Sequence, residues 1–324
     1  MLRLKLLLLR AAEAAVALLV LGFFLVARLF PDRWTSAFGG WVARTVGPHL
    51  GPSRIARANL ALAFPERSPA ERERILRGAW DNLGRTASEY PYLGRIWDYD
   101  PDRPRRGGRI EVVGEEHFRS LRDDGKPGIV FSAHLANWEL LAVAAARNGL
   151  DIAVLFRVPN NPMVAHLIRR IRGRHMGRLI PTDLRGGLAL MGVLKQGGHV
   201  GMLVDQHFSR GVPGTFLGHP ARTAPALAKF ARAFDCPVHG ARVIRLGGGR
   251  FRLEVTPPLE LPPPLADQAA DEAQIMAMVN ATLEIWIREQ PQDWLWMHRR
   301  WRPEPVRPPE RRSPAAVDKA QAGL

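Results

Sequence analysis

Phe131-Ser132-Ala133-His134-Leu135-Ala136-Asn137-Trp138-Glu139-Leu140 joins an apolar strand to an apolar helix. The run from Gly128 to Phe131 has the short, continuous apolar character of a buried strand. It ends in small residues and presents a histidine. Five residues later a glutamate stands where a helical pattern begins. Positions five apart on a regular helix are about 140° apart. The two side chains therefore converge only if His134 lies in the turn and Glu139 in the first helical turn. Asn137 is the candidate N-cap. The helix N-terminus favours an ionised Glu139 and disfavours imidazolium, which leaves a neutral His134 able to accept a proton. Ligands in open α/β sheets bind outside such strand ends. The plainer alternative is a buried histidine beside a surface carboxylate.

Downstream the pattern alternates. Strands are expected at 109–113, 127–131, 152–156 and 200–204, with helices at 116–122, 140–148, 164–171 and 187–196 between them. This alternation predicts an α/β fold with a mostly parallel central sheet flanked by helices. His134, Arg157 and Asp205 each follow a strand, so three successive strand ends carry polar groups and point to one shared site. The glycine-rich stretch 211–218 lacks the G-x-x-x-x-G-K-[ST] pattern of a phosphate loop. A helix follows at 224–234. Segments 238–245 and 250–255 flank Gly247-Gly248-Gly249 and read as a hairpin. Residues 274–288 form a helix with Ile275, Met278, Val279, Leu283 and Trp286 on one face. The mixed aromatic and basic run Trp294 to Trp301 reads as core packing, a membrane-interface anchor or a stacking surface.

Upstream, Leu4 to Phe30 is mostly apolar, interrupted by Arg10 and Glu13. A spanning helix, an interfacial helix and a cleaved signal peptide all fit, and each brings the chain to a membrane. Basic residues flank both sides, so orientation is not set by charge. Residues 32–98 read as a helical preface, with Ser68-Pro69-Ala70-Glu71 as a capping box and Pro65 as a stop. The core domain is expected over 109–302, after a charged, proline- and glycine-rich connector. Residues 303–324 have no apolar face and are expected to be a disordered tail.

The chain has 324 residues, 46% of them hydrophobic, which is enough for a large core. Its formal charge of +15 calls for an anionic partner: nucleic acid, anionic lipid or an acidic protein. No zinc finger, basic zipper or RNP-like signature accompanies that charge, so no nucleic acid is expected. The single cysteine, Cys236, excludes an intramolecular disulfide and any cysteine-based zinc cluster. The ten histidines show no H-E-x-x-H spacing, and no metal site is expected.

These segments together resemble the lipid A late acyltransferases (lauroyl/myristoyl), a branch of the glycerolipid-type acyltransferases. His134-x4-Glu139 matches their H-x4-D/E motif. The set also includes Asn59-Leu60 with Ala63-Phe64-Pro65-Glu66, and Phe156-Arg157-x-Pro159-Asn160-Asn161-Pro162. Asp205-Gln206 follows, then Phe216-Leu217-Gly218 with Ala221-x-Thr223-Ala224-Pro225. Trp294-Leu295-Trp296-x-His298-Arg299-Arg300 closes it. The resemblance runs from the hydrophobic segment to about Trp301. Glu139 stands where some members have Asp, Phe156 where Tyr is common, and Leu217 where Phe is common.

The resemblance implies an enzyme that moves a fatty acyl chain from acyl carrier protein to a hydroxyl of a lipid A precursor. It places that enzyme at the cytoplasmic face of a bacterial inner membrane and asks for no cofactor. His134 is then the general base and Glu139 fixes its tautomer. Arg157 is expected at the oxyanion or at an acceptor phosphate. Asp205 is expected to orient Arg157 or the acceptor sugar. Asn137, Trp138, Asn160, Asn161, Gln206 and Arg299 are expected around the substrate. Nothing in these residues names the acceptor hydroxyl, so another glycolipid, such as a phosphatidylinositol mannoside, or an aminoacyl lipid stays open. A non-catalytic membrane scaffold also fits if His134 and Glu139 do not meet.

Overall fold

The computed structural model describes residues 2–100, 108–182 and 185–302, with side chains from Arg10 onward. The expected tail at 303–324 lies outside these residues. Helices come first: α1 (Leu2–Ala27), α2 (Asp32–Val46), α3 (Pro52–Ala63), α4 (Pro69–Glu89) and the one-turn α5 (Leu93–Ile96). Then follow β1 (Ile110–Val113), α6 (Glu115–Asp123), β2 (Gly128–Ser132), α7 (Glu139–Arg147), β3 (Ile152–Phe156) and α8 (Pro162–His175). β4 (Arg178–Pro181), α9 (Gly186–Lys195), β5 (His199–Leu203), β6 (Val212–Phe216) and β7 (His219–Thr223) continue the chain. It ends with α10 (Ala226–Phe234), β8 (Val238–Gly247), β9 (Arg250–Pro258) and α11 (Gln268–Glu289).

The seven-stranded sheet has the order β1-β9-β8-β2-β5-β3-β4. β8, β2, β5, β3 and β4 run parallel. β9 is antiparallel to β8, and β1 is parallel to β9. The expected mostly parallel α/β sheet is therefore borne out. Its topology also collects one edge: the carboxyl ends of β2, β3 and β5 and the β8–β9 turn all lie together. Alternating side chains of β2 feed two cores. Ile129 and Phe131 pack with α9, α10, α11 and Trp294 on one face. Val130 packs on the other, with α7 and the inner residues of β8 and β9.

Two elements were not legible. β4 is a four-residue edge strand carrying Arg178 and Pro181, a composition that hides the strand signal. The glycine-rich stretch 211–218 forms β6 and the turn of the β6–β7 hairpin. Its turn places Leu217 at φ +48° and Gly218 at +80°, the left-handed pair that a tight hairpin needs. The start signal of α4 holds. Ser68 and Glu71 form the capping box of α4, with Pro69 at the first position.

α2 and α4 pack through small residues. A Cβ on Gly84 would lie 2.3 Å from the Gly39 carbonyl oxygen and 2.5 Å from Ala43 Cβ. Both obstacles are fixed, one being backbone and the other a Cβ on a helix. Gly84→Ala is therefore expected to destabilise the protein by about 1–3 kcal/mol through overpacking. Urea unfolding in detergent checks this.

Candidate active site

β2 ends at Ser132, and the chain then turns sharply through Ala133–Trp138 before α7 starts at Glu139. The turn is over-determined. Ala136 sits at φ +47°, a conformation that a non-glycine residue holds only when its surroundings impose it. Its carbonyl accepts from Asn82 and Thr86, and its N–H donates to the Asp293 carbonyl at 3.0 Å. Leu135 bridges to Trp294, and the Leu295 N–H donates to the His134 carbonyl. The run Trp294–Trp296 is thus core that braces the turn. Both of its tryptophans are fully buried, and Asn59 ties the segment to α3 through the Trp296 and His298 carbonyls.

His134 emerges from this turn onto Asp205, which follows β5. The imidazole Nδ1 lies 2.9 Å from Asp205 Oδ1, and the His134 backbone N–H donates to Oδ2 at 3.0 Å. Trp294 Nε1 donates to the same Oδ2 at 2.8 Å. Asp205 is completely buried. Burial alone would push its pKa up. The His134 charge and hydrogen bonds, with a smaller contribution from His298, hold it well below the usual carboxylate range. Burial likewise pulls the imidazole pKa down, but Asp205 reverses this and Glu139 adds to it, so His134 ends above 6.5. An acceptor on Nδ1 fixes the tautomer with the proton there and leaves Nε2 as the basic nitrogen.

Glu139 is the first residue of α7, as expected, but it does not hold the imidazole. Its Oε1 accepts from Tyr90 Oη at 2.7 Å and from Trp138 Nε1 at 3.0 Å. Arg172, from α8, binds both carboxylate oxygens through Nε and Nη2. This bidentate pair is buried, with Arg172 15% and Glu139 4% exposed. Oε1 thus takes three donors and Oε2 one, and among the described residues no hydrogen bond joins Glu139 to His134. The expectation that Glu139 holds the imidazole is corrected by this geometry: the carboxylate on Nδ1 is that of Asp205.

The other expected residues divide. Trp138 stands edge-on to His134, ring centroids 5.0 Å apart. Arg157 is exposed beyond β3 and lines the same cavity as His134, but Asp205 is spent on His134 and does not orient it. Asn160, Gln206 and Arg299 are exposed. Asn137 is no N-cap, because its amide turns inward to the Glu89 carboxylate at 2.8 Å, a charge-assisted bond. Asn161 is occupied structurally. It caps α8 through the Met163 and Val164 N–H groups and donates to the Glu13 carbonyl of α1. Sequence reasoning missed Tyr90 and Arg172. Arg172 is one of several arginines on α8, and nothing in their spacing distinguishes it.

A cavity of about 230 Å³ opens beside His134. Its mouth holds His134, Trp138, Glu139, Arg157 and Arg172. It then runs under α7 and α6 to Leu121, Ala145, Leu150 and Ile152 at the far end of the sheet. β3 alone spans about 13 Å of this path. Apart from the mouth, the walls are hydrocarbon. α1 passes the same edge: Phe24 stacks on Tyr90, ring centroids 6.5 Å apart. Over Arg10–Ala27, α1 is long and apolar enough to cross a membrane, and only 11% of that window is buried.

A carboxylate-backed imidazole thus stands at the mouth of a hydrocarbon-lined cavity. The chain belongs to the bacterial lipid A biosynthesis acyltransferases, whose family profile matches residues 5–303. It is similar to three Escherichia coli K12 enzymes. The lipid A biosynthesis palmitoleoyltransferase is 28% identical over 261 residues, 78% of this chain and 79% of that one. The lauroyltransferase is 28% identical over 267 residues, covering 80% and 82% of the two chains. The myristoyltransferase is 27% identical over 288 residues, covering 85% and 82%. The protein is therefore an acyltransferase of lipid A biosynthesis. The relatives name three different acyl groups.

Proposed function

We propose that the protein carries out a late acylation of lipid A, moving a fatty acyl chain from acyl carrier protein to a hydroxyl of a lipid A precursor. The reaction takes place at the cytoplasmic face of the inner membrane, and His134 is the general base. The observation that carries this reading is the His134–Asp205 contact at 2.9 Å at the mouth of the hydrocarbon-lined cavity. The acyl chain lies in the cavity with its thioester at His134. Nε2 takes the acceptor hydroxyl's proton as the oxygen attacks the thioester carbonyl, and Asp205 stabilises the imidazolium that forms. The tetrahedral intermediate collapses, the carbon–sulfur bond breaks, and the thiolate recovers the proton from His134.

Arg172 uses Nε and Nη2 on Glu139, with Nη2 also on Tyr90. Its Nη1 carries no hydrogen bond among the described residues, and in this reading it meets the developing oxyanion. Glu139 is then the carboxylate that positions Arg172. Exposed Arg157 takes an acceptor phosphate. The basic surface suits a phosphorylated glycolipid and an acidic carrier protein.

The test is acyl transfer in vitro, read by mass, from acyl carrier proteins of several chain lengths to a lipid A precursor. One added acyl chain is expected, lost in His134→Ala; near-normal transfer by that variant would refute the assignment. Ala145→Leu, at the end of the cavity away from His134, is expected to shift the preference toward shorter chains in the same assay.

A further inference from the structure

α2 is built inside out. A surface helix of a globular protein turns its apolar face inward. Here the inward face is small or polar: Ser36, Gly39 and Gly40 are packed on α4, and Ser36 donates to the buried Glu89 at 2.6 Å. A Cβ on Gly39 would lie 2.8 Å from the Gly84 carbonyl oxygen, so the contact admits nothing larger. The outward face carries Trp34, Phe38 and Trp41, which are 62%, 57% and 52% exposed. At 100° per residue these three lie within about 60° of arc. They form one apolar stripe with no protein partner among the described residues.

Two further observations say what covers the stripe. First, it continues a membrane-facing surface. α1 ends at Ala27, and Leu29 and Phe30 in the connecting turn are 80% and 52% exposed. The turn is fixed to the body because Tyr92 Oη donates to the Ala27 carbonyl and also contacts the Phe30 carbonyl. Second, the stripe has a basic fringe. Arg33, Arg44, Arg74 and Arg77 line a groove of about 780 Å³ beside α2. The last three are 53%, 77% and 50% exposed, and their nearest carboxylates stand 3.9–4.0 Å away. Aromatic side chains fringed by arginine match the bilayer interface, where rings sit among headgroups and guanidinium groups meet lipid phosphate.

We propose that α2 is an interfacial membrane-docking helix. Its Trp34–Phe38–Trp41 stripe sits among the headgroups of an anionic bilayer, and the adjoining arginines bind lipid phosphate. The β8–β9 turn beside α2 lies at the same sheet edge as His134, so this docking holds the cavity mouth toward the membrane. The coupling is physical: Ser36 of α2 and Asn137 of the catalytic turn bind the same Glu89 carboxylate. This rests on the membrane-facing reading above and not on the catalytic roles given there.

The experiment uses the full chain in vesicles of phosphatidylglycerol and phosphatidylcholine, with a polarity-sensitive fluorophore on Phe38→Cys. Cys236 is buried and its thiol is pushed up to about 11, so labelling is selective. Brominated acyl chains are expected to quench the probe at 38 and not one on Lys126→Cys, at the opposite end of the sheet. W34A/F38A/W41A leaves the α4 contact intact. It is expected to lose at least about tenfold in transfer to acceptor held in vesicles, and to stay within about twofold on detergent-dispersed acceptor. An unquenched probe at 38 overturns the proposal, as does self-quenching that reports a second copy on this face. Equal losses in vesicles and detergent also overturn it. Quenching needs no turnover, so an inactive enzyme with a quenched probe faults the catalytic reading alone.

Discussion

Asp205→Asn is expected to lower kcat/KM by about 10³–10⁴ while the protein still folds. Asp205 accepts from the His134 backbone N–H, the His134 ring and Trp294 Nε1. An asparagine presents one oxygen and one NH₂ to the same donors. If the oxygen faces the backbone and Trp294, the NH₂ faces Nδ1, and the imidazole must move its proton to Nε2. The base is then lost through the wrong tautomer. If the amide is reversed, two donors confront each other in a buried site, at a stability cost of about 1–3 kcal/mol. Steady-state kinetics beside a thermal melt separate the outcomes: a large kinetic loss with a modest shift in Tm is expected.

Arg172→Met is expected to be the most destabilising single change at the site, at about 3–5 kcal/mol. It strands the Glu139 carboxylate, 4% exposed, with only Tyr90 and Trp138 as donors. The double variant Arg172→Met with Glu139→Gln removes both charges and is expected to recover most of that loss while remaining inactive. Denaturant unfolding of the two proteins measures the first claim, and acyl transfer measures the second. Stability recovered together with activity would show that Arg172 serves the fold alone.

Much of the fold was legible because parallel strands buried on both faces write themselves as apolar runs. β2 and β3 are such runs. β4 and β6 are not, since Pro181, Pro213 and Gly214 obscure them, and β4 pairs with β3 across the whole of α8. Within the site, His134, Glu139 and Asp205 were visible as polar residues flanking strands and helices. Their pairing was not. Sequence proximity joined His134 to Glu139, whereas β2–β5 adjacency joins it to Asp205, 71 positions away. Arg172 and Tyr90 reach Glu139 from α8 and from the turn after α4, and no local pattern marks either. Asn161 caps α8, a role that a motif asparagine before a proline fills as readily as a substrate contact, and sequence alone does not separate the two.

The pH dependence follows from the same pair. A base must be neutral to accept a proton, so transfer is lost as pH falls through the raised His134 value. Stability has the opposite sign: this group's contribution is full below about 6.5 and is lost as pH rises through the folded-state value. The decisive measurement is kcat/KM against pH for the unmodified enzyme, Asp205→Asn and Glu139→Gln. If Asp205 sets the base, the acid limb lies above 6.5 in the unmodified enzyme. It then moves down further in Asp205→Asn than in Glu139→Gln. An acid limb that stays in place in Asp205→Asn and moves in Glu139→Gln would contradict the His134–Asp205 pair as the catalytic base.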